Sequence, residues 1–246
     1  MKKWLYVCCF FALLACDVDS YVDSVSYEGT GKGGSLTRFT IINNQLFVLD
    51  ESSVRLYNIA DDGSFNLHQE LNVGSNLETI SYNGEYIFIG SSSAVHFLEL
   101  GPGDQINFLS SYRHITACDP VVGIEGIAYS TLRSSGCRFN NEEVLDVIDY
   151  SDVFNPILIR SYSTFSPLGL AVNNDFLFVC ENNGMTVYDR SNPRQLEKLD
   201  FMNIPNDVPI DLIVNGSQII IRSEQGMYNA SVNESGELAY LGSLVE

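Results

Sequence analysis

The chain has 246 residues, with 31 Asp or Glu against 13 Lys or Arg, and its formal net charge is −18 at pH 7. This excess of acids excludes nucleic acid as a partner and argues against flat binding to anionic lipid, because both surfaces carry the same sign of charge. The length suits one large domain with a sizeable buried core.

The first 15 residues are predicted to be a signal peptide. Two lysines precede an apolar stretch at 4–14, which is too short to cross a bilayer of about 30 Å as a helix. The stretch ends in Leu-Leu-Ala-Cys at 13–16, which resembles the lipobox of bacterial lipoproteins. The resemblance implies cleavage before Cys16 and acylation of Cys16, so the membrane is a partner through an N-terminal lipid. An ordinary cleaved signal with an incidental cysteine is the alternative.

Residues 16–35 are predicted to be a flexible tether between the lipid and the folded domain. They mix acids, Ser and Gly without a sustained apolar period. Asp17, Asp19 and Asp23 lack the further ligands and the fixed glycine of a calcium-binding loop. We interpret them as solvated side chains, and place the folded domain at 36–246.

A local pattern returns five times along residues 36–246. Each copy has a β-rich run, a two-residue turn and a second, more hydrophobic run. Asn and Gly tolerate the positive φ of tight hairpin turns. The predicted turns, 40 to 48 residues apart, are Asn43-Asn44, Asn83-Gly84, Glu125-Gly126, Asn173-Asn174 and Asn215-Gly216.

Each repeat divides into four short strands, and no segment shows a helical period over ten or more residues. The second strand of each repeat is almost continuously apolar, as in Leu177-Phe178-Val179, which suits a strand covered on both faces. A repeat of this length with four strands is typical of propeller blades. The sequence therefore predicts an all-β fold, a single five-bladed β-propeller of four-stranded antiparallel blades.

Several segments resemble the LVIVD-repeat proteins, a group of bacterial, often lipid-anchored β-propellers without an assigned activity. Val144-Leu145-Asp146-Val147-Ile148-Asp149 is similar to the strand motif that names the group. Gly31–Ile41, Leu77–Gly90 and Leu177–Asp189 are similar to further segments of its lipoproteins. The resemblance spans most of the chain after residue 30. It implies the fold and an anchored location in the cell envelope, at the outer membrane or cell surface in preference to the inner membrane, and it brings no catalytic residues.

Three cysteines outside the signal and the lipid site are disulfide candidates. Cys118, Cys137 and Cys180 are all predicted to lie on one rim of the propeller, and export favours oxidation. Cys118–Cys137 would hold the longest loop within its own blade. Cys137–Cys180, or no bridge, is the alternative. A nucleophilic cysteine is disfavoured because no base with an orienting partner is evident beside any of them.

Polar residues near the inner strands form a second candidate site. Closing the ring should bring them together around the axis, as a small polar pocket or a calcium site. The preferred interpretation is internal ion pairing, in which the two arginines neutralise the acids. The set comprises Arg38, Glu78, Asp119, Arg133 and Asp211.

These observations favour a binding or interaction module with an unknown protein or glycan partner and no cofactor, although calcium is possible. One alternative is a metal-assisted, glycan-active lyase or hydrolase that uses the axial acids. Another is a structural component of a surface complex. The chain carries no glycine-rich phosphate loop, zinc-spaced histidine pair or nucleophile elbow.

Overall fold

The computed structural model describes residues 34–113, 120–133 and 143–245. Their 20 strands form five four-stranded sheets, and each sheet takes four strands that are consecutive in the chain. The sheets are antiparallel, with the strands side by side in chain order. This confirms the predicted all-β, five-bladed propeller, and the described residues contain no helix.

The strands of the five blades have the following bounds. Blade 1 contains β1 (Phe39–Ile42), β2 (Gln45–Leu49), β3 (Ser53–Ile59) and β4 (Phe65–Asn72). Blade 2 contains β5 (Leu77–Tyr82), β6 (Tyr86–Ser91), β7 (Ala94–Gly101) and β8 (Gln105–Arg113). Blade 3 contains β9 (Val121–Ile124), β10 (Ile127–Leu132), β11 (Val144–Asp149) and β12 (Ile157–Ser163). Blade 4 contains β13 (Leu170–Val172), β14 (Phe176–Glu181), β15 (Gly184–Asp189) and β16 (Glu197–Asn203). Blade 5 contains β17 (Pro209–Asn215), β18 (Gln218–Ser223), β19 (Gly226–Val232) and β20 (Leu238–Val245).

Two of the predicted hairpin turns have the expected two-residue form. Asn43 and Asn44 have φ values of 49° and 62°, and Glu125 and Gly126 have 50° and 79°. In blade 5 the pairing of Asn215 with Gln218 moves the turn one residue along, so its centre begins at Gly216.

The turns predicted at Asn83 and Asn173 are longer. Tyr82 pairs with Ile87, and Val172 pairs with Leu177, so four residues lie between the two members of each pair. The Asn83 side chain accepts hydrogen bonds from two backbone amides of its loop, and the Asn173 side chain does the same. Asparagine serves here as a side-chain acceptor that closes an Asx turn, not as a residue with positive φ.

A β-bulge recurs at the same place in every blade. The outermost strand carries one extra residue opposite the third strand, as at His68 in blade 1. The equivalent extra residues are Leu109, Ile159, Leu199 and Leu241. A bulge increases local twist and interrupts the free edge, which suits blades that twist outward from an axis and end at an exposed strand.

Clusters of buried apolar side chains fill four of the interfaces between blades. They join blades 1 and 2, 2 and 3, 3 and 4, and 4 and 5. At the interface between blades 2 and 3, Phe88 packs edge-on against Phe97 and Tyr150, with ring centres 5.6 and 5.3 Å apart. The core is therefore distributed between the sheets, as the hydrophobic second strands predicted.

Hydrogen bonds close the ring near the axis. The Ile80 amide donates to the Thr37 carbonyl, and the Ser81 hydroxyl donates to the Val121 carbonyl. The Thr131 hydroxyl then connects blade 3 to blade 4, and the Gly169 amide connects blade 4 to Ile210 of blade 5. The last connection, from blade 5 back to the segment before β1, is made by Asp211.

Candidate functional site

A channel of about 340 Å³ runs along the axis of the ring. The inner strands β1, β5, β9, β13 and β17 form its wall. Gly34, Ser35 and Thr37 lie at one end, before the first strand, and Asn83 and Gly84 lie at the other. The inner strands thus place one concave site on the axis, where propeller architecture gathers all blades.

The channel wall is mostly aliphatic. Three residues from each of β5, β9, β13 and β17 contribute, and the partly exposed ones include Ile124, Val172 and Ile213. Hydroxyl and amide groups come from a few side chains such as Ser81. Such a lining favours an uncharged ligand with a large apolar surface, because a charged group would be desolvated there without a counter-charge.

At the end of the channel formed by Gly34 and Ser35, Asp211 binds the segment that precedes β1. Its carboxylate accepts hydrogen bonds from the backbone amides of Ser35 and Leu36, each at 3.0 Å, and from the Ser35 hydroxyl at 3.0 Å. The amide of Leu212 adds a fourth hydrogen bond at 3.0 Å. The Ser35 hydroxyl oxygen in turn accepts from the Leu170 amide at 2.8 Å. We call this arrangement of Ser35, Leu36, Leu170 and Asp211 the Asp211 clasp.

Two glycines make room for the clasp. A Cβ atom at Gly34 would lie 2.0 Å from one carboxylate oxygen of Asp211, and a Cβ at Gly169 would lie 2.3 Å from the other. Both residues therefore need to be glycine for the backbone to approach Asp211 so closely. Ser35 is only 2% exposed and Asp211 8% exposed, so the clasp is a buried polar connection between blade 5, blade 4 and the chain that leads into blade 1.

Burial dominates the electrostatics of the clasp. It raises the pKa of Asp211 above its ordinary value of 3.8, and the hydrogen bonds from Leu36, Ser35 and Leu212 offset this only in part. The partners of Asp211 within the described residues are thus amides and a hydroxyl. They are not the arginines that the sequence suggested for it.

The other described members of the predicted axial set are not gathered around the channel. Arg38 is exposed just before β1, Glu78 is half-buried on β5, and Arg133 is half-buried directly after β10. Asp119 lies outside the described residues. None of the four described members of the set, Asp211 included, belongs to the channel lining. Inner-strand side chains alternate between faces, so sequence offset from the turn does not by itself bring a side chain to the axis.

Cys180 is a free thiol, and it is completely buried in the cluster between blades 4 and 5. Burial raises the pKa of Cys180 well above its usual value, with a smaller contribution from the nearby Asp211 carboxylate. The thiolate needed for nucleophilic chemistry is therefore disfavoured. Cys16, Cys118 and Cys137 lie outside the described residues.

No group of three or more metal-ligating side chains is found among residues 34–113, 120–133 and 143–245. His96 is buried and lies 2.7 Å from the Ser111 hydroxyl through its Nδ1, while His68 is exposed. Over the same ranges, no helix combines the length and apolar character that crossing a membrane requires.

Sequence reasoning missed the part that Ser35 plays. The predicted tether ran to residue 35, yet Gly34 and Ser35 belong to the packed rim, so the described fold starts two residues before the predicted boundary at 36. The available signal was the small-residue run Gly33-Gly34-Ser35 directly before the first strand, which permits close approach of two backbones.

The fold is similar to that of several solved β-propeller proteins. A protein from Lactobacillus plantarum has a TM-score of 0.63 and 12% sequence identity, with 84% of this chain and 73% of that chain covered. A periplasmic gluconolactonase from Pseudomonas aeruginosa has a TM-score of 0.62 and 15% identity, with coverage of 82% and 67%. AztD from Citrobacter koseri has a TM-score of 0.56 and 12% identity, with coverage of 80% and 59%.

Identities this low establish a shared fold and no shared activity. No protein-family model matches the chain, and no curated protein matches its sequence. The likeness to LVIVD-repeat proteins therefore stays a prediction. The chain is a β-propeller with an aliphatic axial channel.

Proposed function

We propose that the protein is a non-enzymatic binding module of the bacterial cell envelope, held to a membrane by a lipid on Cys16. The observation that carries the binding role is the composition of the channel lining, which consists of aliphatic, glycine, hydroxyl and amide groups together with one tyrosine. General acid–base chemistry needs a titratable group within hydrogen-bond reach of the substrate. Among the described residues the wall has no carboxylate or imidazole group, and such a wall suits binding of a ligand better than its chemical conversion.

The channel volume lies near the lower end of the usual range for ligand pockets, roughly 300–1,000 Å³. We infer that its ligand is a small uncharged molecule, or the apolar end of a larger partner that rests on the rim. A fully hydroxylated sugar fits less well, because most of its hydroxyl groups would face aliphatic side chains without a hydrogen-bond partner.

We expect a neutral solvatochromic dye such as Nile red to bind wild-type protein saturably, and Ala171→Leu to weaken that binding at least tenfold. Ala171 lines the channel and packs partly against the cluster between blades 4 and 5, so the larger side chain takes up part of the free volume. Fluorescence titration measures the affinity. Ala239→Leu, the same change on the exposed outer strand β20, is the matched control and should bind like wild type. Melting temperatures of both variants check that the fold is retained.

Equal dye binding by wild type and Ala171→Leu would contradict the channel as the site. A rise in melting temperature with calcium, reversed by EDTA, would instead support the metal-assisted alternative. Pull-down from solubilised membranes then identifies the natural partner.

The anchoring proposal predicts a clear change in fractionation. Expressed in a bacterial host, the wild-type chain should be recovered with the membranes, whereas Cys16→Ser should move to the soluble fraction because it cannot be acylated. Mass spectrometry of the N-terminal peptide should show a mature chain that begins at Cys16 with attached acyl groups. Cys180→Ser is the matched control, since a buried thiol takes no lipid, and it should stay with the membranes. An unmodified Cys16 in the mature protein would refute the proposal.

A further inference from the structure

The interface between blades 5 and 1 differs from the other four. No cluster of buried residues joins these two blades within the described ranges, although hydrogen bonds of the Asp211 clasp connect them near the axis. On β1, an inner strand, Phe39 is 59% exposed and Ile41 37% exposed. Large apolar side chains on an inner strand should be covered by the neighbouring blade, so their exposure marks an open interface.

One face of blade 1 carries an apolar row of side chains from β1 to β4, beside a second row that ends in the Arg55–Glu70 ion pair. Phe39 and Ile41 are on the same face of β1 and alternate with Thr40 and Ile42, which are buried. The register carries the face through β2 and β3 to Leu67 on β4, which is 56% exposed. The opposite face of the same sheet forms the cluster with blade 2.

Blade 5 presents a mixed face towards the gap, on which Arg222 and Asn229 lie among the apolar residues. On β18 and β19 the buried residues, such as Ile221 and Ala230, belong to the cluster with blade 4. The opposite face carries Ile220, which is half-buried, Met227, which is 45% exposed, and Leu244, which is 78% exposed and pairs with Met227. We call the space between the two faces the open groove, lined by Phe39, Ile41, Leu67, Ile220, Met227 and Leu244.

The open groove connects with the axial channel. Ile41 of β1 and Ile213 of β17 both line the channel, and these strands flank the inner end of the groove. Large apolar side chains exposed together in this way are uncommon on an isolated domain and indicate an occupant.

The polypeptide itself enters the fold at this place. The Asp211 clasp fixes Ser35 and Leu36 against β17 of blade 5, and β1 of blade 1 starts four residues after Ser35. The chain that precedes Gly34 therefore begins at the inner end of the open groove. Residues 17–33 supply 17 residues beyond the lipid site, enough to run the length of a strand and return.

The sequence of that stretch fits an apolar groove. Residues 21–27 read Tyr-Val-Asp-Ser-Val-Ser-Tyr, with the β-branched and aromatic side chains that strands favour. Seven extended residues span about 23 Å, which is enough to cross a four-stranded sheet whose strands, about 4.8 Å apart, extend over about 14 Å. Gly29, Gly31 and Gly33 lie between this stretch and the clasp, and they permit the chain to reverse direction.

We propose that residues 21–27 occupy the open groove and complete the fifth interface of the propeller, with their valine and tyrosine side chains on the apolar faces of blades 1 and 5. A second copy of the chain is a poorer occupant, because two molecules with a net charge of −18 repel each other, whereas a segment of the same chain is held next to the groove. The N-terminal stretch then acts as a covering strand as well as a connection to the lipid.

The test uses the whole mature chain with Cys16→Ser, which removes the acyl groups and keeps the segment. Hydrogen–deuterium exchange should show protected amides within residues 21–27. The double variant Val25→Asp/Tyr27→Asp should remove this protection and lower the melting temperature by about 5 °C, because two apolar contacts are lost. Val18→Asp/Ser20→Asp adds the same number of negative charges just outside the stretch and should melt like the parent.

Any of three results would overturn the proposal. One is free exchange of residues 21–27 in the parent chain, at the rate of an unstructured peptide. The second is a monomer–dimer equilibrium in light scattering whose dimer is lost on Phe39→Asp, which would assign the groove to a second copy. The third is equal melting temperatures of the two double variants.

Discussion

Replacing Phe88 with alanine should lower the free energy of unfolding by about 3–5 kcal/mol, the usual cost of removing a fully buried phenylalanine. Phe88 has no exposed surface and joins the cluster between blades 2 and 3. Its ring packs edge-on against Phe97 and Tyr150, and each such aromatic pair contributes about 0.5–1.5 kcal/mol beyond area burial.

The surroundings of Phe88 cannot close over the vacated space at low cost. Its ring rests directly on the backbone of Gly123 in blade 3, where a Cβ atom would lie 2.2 Å from the ring. Both contacting elements belong to hydrogen-bonded sheets, so a shift of one residue would disturb its strand. The cavity therefore persists, which places the cost in the upper part of the range for large-to-small changes.

Urea unfolding followed by circular dichroism measures this effect, and Phe154→Ala is the matched control. Phe154 is 65% exposed on the connection between β11 and β12, so its loss should change the free energy of unfolding by less than about 0.5 kcal/mol. Similar stabilities of the two variants would show that the interface between blades 2 and 3 is not the packed core described above.

Replacing Asp211 with alanine should also destabilise the protein strongly, by about 3 kcal/mol. The change leaves the buried amides of Ser35 and Leu36 and the Ser35 hydroxyl without their acceptor, and each buried donor left unsatisfied costs roughly 1–3 kcal/mol. Water entering the vacated site recovers part of this loss. The variant tests whether the polar connection between blades 5 and 1 holds the ring together.

Asp175→Ala is the matched control for Asp211, because Asp175 is an exposed acid in a loop of blade 4. Its removal should alter stability by less than about 0.5 kcal/mol. In hydrogen exchange, Asp211→Ala should expose the amides of Ser35, Leu36 and Leu170 selectively. A loss of stability without faster exchange at these amides would contradict the role of the clasp.

The pH dependence gives an independent measurement of Asp211. Because burial raises its pKa in the folded state above 3.8, the folded protein keeps the proton at pH values where the unfolded chain has lost it. The contribution of Asp211 to stability is thus complete below about pH 3.8 and falls as the pH rises through the folded-state pKa. Asp211→Asn cannot titrate, so the stability of wild type relative to Asp211→Asn should decrease over that window and then level off. A relative stability that rises with pH would show that hydrogen bonding outweighs burial.

The number of blades and their order were predictable from the sequence. The apolar second strands and the turn residues recur with a period in the forties, and both are local properties that neighbouring residues determine. At Asn83 and Asn173 the same local residue types led to a wrong prediction of turn length. An asparagine in a turn can adopt positive φ or accept hydrogen bonds through its side chain, and only the strand register distinguishes the two.

The bulges were not predictable in the same way. His68, Leu109 and Ile159 have little in common as side chains, yet each is the extra residue of its outer strand. A bulge depends on how two strands align over several residues, and the twist required by packing around an axis selects that alignment. No residue type marks it.

The candidate site was likewise predictable only in part. That inner strands would line an axial channel followed from the fold class, but which of their side chains reach it did not. Cys180, placed on a rim from its position at the end of a strand, is enclosed in the cluster between blades 4 and 5. The side chain at a strand end can point to either face of the sheet, and packing against the neighbouring blade determines which face it takes.

The sequence by itself determined a five-fold repeat of antiparallel four-stranded sheets, because alternation, turn residues and period act over at most a few tens of residues. Only the tertiary structure decided that the Asp211 carboxylate accepts hydrogen bonds from Ser35, a residue 176 positions away, and that the described residues of blades 5 and 1 meet through this contact without a shared apolar cluster. Such contacts arise from the angle at which whole blades are set around the axis. Packing at all the interfaces together determines that angle, so no single segment of the chain encodes it.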